Sequence, residues 1–272
     1  MMIPARAVPH TVPTFFGSAE RRLFGLYHAP SGDTVRAAGV VLCHPAPQEY
    51  SQTYWAFNKL AGMLASAGFH VLRFDYGGTG DSSGESADAR LAQWVGDIGT
   101  AVQELRDLAG VRRISLVGMR VGAALAARAT AAGVRVRDLV LWEPVVSGPA
   151  YLAELDAVED RRLGLLNYPE PDTRLDDELM GYAFPHAMRR ETAAIDLTTE
   201  SVGRADRLLI VGALDVPSWA TIAARSAAAG IAATVTRVPD PVLYAGVGHP
   251  SDTILPHEAP LAITAFLARA NA

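Results

Sequence analysis

The chain has 272 residues, 50% hydrophobic and 19% charged, enough apolar content for a large core, which excludes a disordered chain or a disulfide mini-scaffold. A net charge of −5 argues against nucleic-acid binding through a basic face. Cys43 is the only cysteine, so no internal disulfide forms and a reducing compartment is expected.

Met1–Pro13 carries Pro4, Pro9 and Pro13 and lacks the apolar run of a signal peptide. No stretch reaches the roughly 18 apolar residues that span a bilayer, so a cytoplasmic protein without a membrane partner is expected. The segments around Phe15–Phe16 and Leu23–Tyr27 read as a hairpin. Ala38–Cys43 is a continuous apolar run, as a buried parallel strand should be. A helix is predicted over Tyr54–Ala67, a strand over His70–Phe74, and a helix over Ala87–Leu108. Strand Ile114–Val117, a glycine turn, helix Ala123–Ala132 and strand Leu139–Trp142 follow.

The pattern changes between Pro144 and Arg207. This stretch is dense in acids and prolines (Glu154, Asp156, Glu159, Asp160, then Pro169, Pro171, Asp176, Asp177 and Glu178) and reads as an inserted helical cap. Alternation resumes with strand Leu208–Val211, a helix around Trp219–Ala229, strand Ala233–Val238 and a last helix from Pro260. Strands alternating with helices imply right-handed crossovers, a mostly parallel α/β sheet covered on both faces, and chemistry at the carboxyl ends of its strands. The expected organisation is a core of residues 1–143 and 208–272 with a cap of residues 144–207.

Gly118-Met-Arg-Val-Gly122 follows a predicted strand and opens a predicted helix. Two glycines separated by three residues allow a sharp turn where larger side chains would collide with backbone. This turn resembles the G-x-S-x-G nucleophile elbow of the α/β-hydrolase family. Asp75–Ser82 resembles that family's D-x-x-G-x-G-x-S turn, and the resemblance runs through nearly the whole chain. It is strongest to serine-aminopeptidase-like hydrolases, including those of exosortase systems and biosynthetic clusters, where Leu141–Gly148 has a similar counterpart.

The resemblance implies an α/β-hydrolase fold, with a triad acid at Asp215, just past a strand, and a triad base at His249, before the last helix. It departs at the centre. Arg120 stands where the family carries its serine, and a guanidinium cannot form an acyl-enzyme. Cys43-His-Pro-Ala-Pro-Gln48 occupies the oxyanion-loop position. Pro45 and Pro47 lack an N–H, which leaves Ala46 and Val121 as oxyanion-hole candidates. Glu143 is a candidate partner for Arg120. Cys43, at the end of a buried strand, reads as a small hydrophobe. No ligand spacing points to a metal, and no cofactor is implied.

These residues give a general base without a covalent nucleophile, beside a fixed cation. One reading is an enzyme of specialised metabolism that acts on a carbonyl-containing or carrier- or peptide-bound acyl substrate, with Arg120 binding its anionic part. Another is a non-catalytic binding protein that uses the old pocket, with Gly118 and Gly122 kept for packing and Arg120 salt-bridged. A third is an ordinary hydrolase with a displaced nucleophile at Ser147 or Ser218. The oligomeric state is left open.

Overall fold

A computed structural model describes residues 11–165, 177–241 and 255–269. Its centre is an eight-stranded sheet. The strands in chain order are β1 (Thr11–Gly17), β2 (Arg22–His28), β3 (Ala38–Cys43), β4 (His70–Phe74), β5 (Arg113–Met119), β6 (Val136–Trp142), β9 (Ala205–Gly212) and β10 (Ala232–Arg237). A separate small ribbon is made by β7 (Glu178–Leu179) and β8 (Tyr182–Ala183). The spatial order is β1-β2-β4-β3-β5-β6-β9-β10. The β1–β2 and β2–β4 pairs are antiparallel, and every other pair is parallel.

The helices are α1 (Pro47–Ser66), α2 (Leu91–Ala109), α3 (Val121–Ala131), α4 (Gly148–Leu165), α5 (His186–Ala193), α6 (Pro217–Ala228) and α7 (Glu258–Arg269). Strand periodicity divides the core between the two faces. Along β3, Val41 and Cys43 pack on the α2 and α3 side with Trp94 and Leu125. Val40 and Leu42 pack on the opposite side against Phe57 and Leu60 of α1 and Ile263 of α7. Both sets are fully buried, so β3 reads as an unbroken apolar run without alternation.

The predicted elements are present, and two of the boundary shifts bear on the site and the cap. Helix α1 begins at Pro47, well before Tyr54, because Pro47 serves as a first-turn proline with Glu49 in the same turn. The last two residues of the expected oxyanion loop, Pro47 and Gln48, are therefore helix. Strand β9 begins at Ala205, where Val136 pairs with Ala205 and Asp138 with Arg207, so the last three residues assigned to the cap belong to the sheet. Between β6 and β9 the described residues form α4, the β7–β8 ribbon and α5. Pro169, Pro171 and Asp176 lie outside the described residues, as does the stretch Met1–His10. Among the described residues, no helix is long and apolar enough to cross a membrane.

Candidate active site

The turn after β5 carries the site. Arg120 joins β5 to α3 with φ 54° and ψ −123°, a conformation that costs a non-glycine residue of order 1–3 kcal/mol. The surroundings hold it there. Its N–H donates to the Trp142 carbonyl at 3.0 Å, and its own carbonyl accepts from Ala123 N at 3.1 Å and Val145 N at 3.2 Å. Both flanking glycines are sterically required. A Cβ on Gly118 would overlap the Gly122 carbonyl, and one on Gly122 would overlap the carbonyls of Cys43 and His44. The turn thus lies directly against the end of β3, in the close approach a nucleophile elbow needs.

The Arg120 guanidinium is nearly buried and ion-paired. Its Nε–H donates to Glu49 Oε1 at 2.7 Å and its Nη2 donates to Glu154 Oε1 at 2.7 Å. The Glu49 side chain, in the first turn of α1, is 5% exposed, whereas that of Glu154 on α4 is 40% exposed. Tyr151, also on α4, donates its hydroxyl to Glu49 Oε2 at 2.7 Å, and its ring centroid lies 5.2 Å from the guanidinium carbon. Burial opposes the cation, but Glu49 and Glu154 outweigh it and hold its pKa well above the ordinary value. Burial, reinforced by Glu49, likewise raises the Tyr151 phenol and keeps it protonated. The expected lone cation facing a ligand anion is thus matched by two carboxylates.

Glu143, proposed from sequence as the Arg120 partner, has a different direct contact: its Oε1 accepts from Ala213 N at 3.2 Å. Arg120 reaches it only through its charge, as a secondary influence. Glu143 is buried at the end of β6 with a positive φ of 43°. Burial raises its pKa, and the Ala213 N–H and Arg120 offset this only in part.

A cavity of about 750 Å³ opens beside the turn, at the carboxyl ends of the central strands. Among the described residues its charged wall residues are Arg120, Glu143, Glu154 and Asp196, three of them acids. Ser147, Ser218 and Trp219 also line it. Neither serine hydroxyl meets a histidine among the described residues. Asp215 is exposed, and its neighbours Leu214 and Val216 face the cavity while it does not. Among the described residues its carboxylate has no hydrogen-bond partner. His249 lies outside the described residues.

Ala46, with φ −60° and ψ 156°, directly precedes α1, and Val121 is the first residue of α3. Both are buried at the junction of the β3 end and the turn. Cys43 is fully buried and burial pushes its thiol pKa up, in keeping with a packing role. Sequence reasoning missed Glu49 and Tyr151. The first-turn position of Glu49 behind Pro47 was the available signal for the former; Tyr151 had none.

Solved hydrolase structures share the architecture. An esterase from Pyrococcus furiosus aligns with a TM-score of 0.63 at 18% identity, over 97% of this chain and 92% of that one. Est1E from Butyrivibrio proteoclasticus, in a structure with bound ferulic acid, aligns at 0.61 and 18% identity, over 94% and 98%. Mouse alpha/beta hydrolase domain-containing protein 10 aligns at 0.59 and 15% identity, over 95% and 99%. These likenesses establish the fold. No curated protein sequence matches the chain significantly. The sequence profile of the family described as serine aminopeptidase, S33, matches residues 36–200. Together with the eight-stranded sheet and the glycine-bounded turn after β5, that match shows that the chain belongs to the serine aminopeptidase S33 family of α/β-hydrolases.

Proposed function

We propose that the chain is a hydrolase-fold enzyme that acts on a carbonyl-containing or carrier-bound acyl substrate without an acyl-serine intermediate. The observation that carries this reading is the ion pair at the turn: Arg120 keeps elbow backbone geometry while Glu49 and Glu154 lock its side chain. A permanent cation at that point leaves the substrate carbonyl no hydroxyl to meet. The large cavity beside it supports a bound ligand.

In this reading His249, oriented by Asp215, takes a proton from water as it attacks the carbonyl, and the backbone N–H groups of Ala46 and Val121 receive the developing oxyanion. Glu143 adds a second titratable group on the cavity wall, its pKa raised by burial. Arg120 holds α1 and α4 against the turn and does not bind a ligand anion, because its charge is already balanced. The acidic wall favours a neutral or cationic substrate, which revises the preference for an anion drawn from sequence. Specialised metabolism and a cytoplasmic location remain parts of this proposal.

A second reading, a binding protein without turnover, is favoured by one observation: Asp215 is exposed and, among the described residues, unbonded. Two measurements separate the readings. A fluorophosphonate probe should leave every serine unlabelled; stoichiometric labelling of Ser147 or Ser218 overturns the proposal in favour of a displaced nucleophile. A screen of ester, thioester and amide substrates should then show turnover that His249→Ala abolishes. Turnover absent across the screen, with ligands still bound in the cavity, establishes the binding protein.

A further inference from the structure

We propose that a second cavity, at the end of β4, binds an organic ammonium ligand with an apolar body. The cavity measures about 550 Å³ and, among the described residues, shares no wall residue with the cavity beside Arg120, so the inference stands apart from the function proposed above. The β3–α1 turn, the β4–α2 loop and the β7–β8 ribbon enclose it.

The wall is aromatic and acidic. Among the described residues the wall holds the aromatic residues His44, Tyr50, Phe74, Tyr76 and Tyr182 and the acids Asp75 and Glu85, and no lysine or arginine. Asp75 is the focus. Its carboxylate accepts from Asp81 N at 3.1 Å and from the Tyr50 hydroxyl at a long 3.3 Å, both neutral donors. Among the described residues it has no ion-pair partner. Arg73, two residues earlier, donates to His28 and Asn58 and reaches Asp75 only through its charge.

The glycine turn builds this arrangement. Gly80 has φ 52°, and a Cβ there would overlap the Asp75 carboxylate, so glycine lets the loop close over the acid. Ser82 fixes the loop by donating to the Asp75 carbonyl at 2.6 Å and accepting from Phe24 N at 2.8 Å. His44 adds a second, independent sign of a ligand. It lies on the cavity wall and is 3% exposed, its ring packs on Phe57 and Tyr50, and its buried Nδ1 has no hydrogen-bond partner. Burial lowers its pKa to about 3, so it brings no competing cation.

A carboxylate held by weak neutral donors among π faces is matched by an ammonium group, which pairs with the acid and lies against the rings. An anion meets two carboxylates, and a neutral ligand leaves Asp75 without a direct ion-pair partner, with only the more distant charge of Arg73.

The test is calorimetric titration of the whole chain with phenylbutylamine, phenylbutanol and phenylbutanoate. The amine should bind, and the alcohol and carboxylate should bind at least about tenfold more weakly. Asp75→Asn should weaken the amine about tenfold or more, and Tyr182→Ala several-fold with an unchanged melting temperature, since Tyr182 is partly exposed on the ribbon. The proposal is overturned if the amine gives no binding heat, if the alcohol binds as well, or if both variants bind the amine like wild type. Should Asp75→Asn fail to fold by circular dichroism, the amine–alcohol comparison and Tyr182→Ala decide.

Discussion

Arg120 Nε donates to Glu49 Oε1 at 2.7 Å, and this one hydrogen bond ties the turn after β5 to the first turn of α1. Removing either partner strands a buried charge, which typically costs about 3–5 kcal/mol. Arg120→Met and Glu49→Leu should each destabilise by about that amount in urea unfolding, and the double variant by clearly less than their sum. Additive single costs would show that the two side chains are energetically independent.

Restoring a hydroxyl at the turn requires removing the acid behind it. Arg120→Ser alone leaves Glu49 buried with only the Tyr151 hydroxyl, so that variant should unfold readily. Arg120→Ser combined with Glu49→Gln should fold, label with fluorophosphonate and hydrolyse activated esters slowly, because Pro45 and Pro47 leave the oxyanion loop short of donors. Activity that survives a further His249→Ala change would remove His249 from the proposed site.

Glycine substitutions should separate by position. Gly122→Ala drives a methyl group into the carbonyls of Cys43 and His44, and backbone cannot yield as a side chain can. A loss of about 3 kcal/mol or more is expected. Gly62→Ala in α1 and Gly96→Ala in α2 meet no atom within 4 Å, so helix propensity alone acts and each should stabilise by about 0.5–1 kcal/mol. Thermal unfolding of the three variants checks the contrast; a tolerated Gly122→Ala would refute the close approach at the turn.

Acid sensitivity should trace in part to His28. Burial, aided by the Arg73 charge, lowers its pKa to about 4, and its Nε2 accepts from Arg73 Nε at 3.1 Å. The unfolded chain takes up this proton first, near pH 6.5, so stability falls from there down to about pH 4 by up to about 1.4 kcal/mol per pH unit. Glu143 runs the other way: its raised pKa means that the folded state takes up a proton first as pH drops, which recovers stability. His28→Gln keeps an acceptor and loses the titration. Its stability should fall less steeply than wild type between pH 6 and pH 4.5 (about one proton's worth of slope); identical slopes would exclude His28.

The sheet was legible because its strands are apolar runs bounded by turns: Ala38–Cys43 and His70–Phe74 are strands over those same residues. The start of α1 was not, since Pro47 and Gln48 read as loop once the oxyanion position is assigned to them. The site was legible only at its backbone. Gly118 and Gly122 mark the turn locally, but the partners of Arg120 lie 71 and 34 residues away, on elements whose mutual placement no local pattern encodes. Glu143 was named for nearness to Arg120, yet its positive φ and its bond to Ala213 come from the β6–β9 register and have no sequence signature.

The sequence distance spanned by the Arg120 contacts also has a kinetic consequence. Glu49, Arg120, Tyr151 and Glu154 meet only after α1, the β5 turn and α4 have all docked, so loop-closure entropy is spent before any of these contacts forms. Such contacts belong to the native side of the folding barrier. Loosening them should speed unfolding and leave the refolding rate nearly unchanged. The hub at the former elbow therefore acts as a brake on opening, prolonging the lifetime of the folded chain without hastening its arrival.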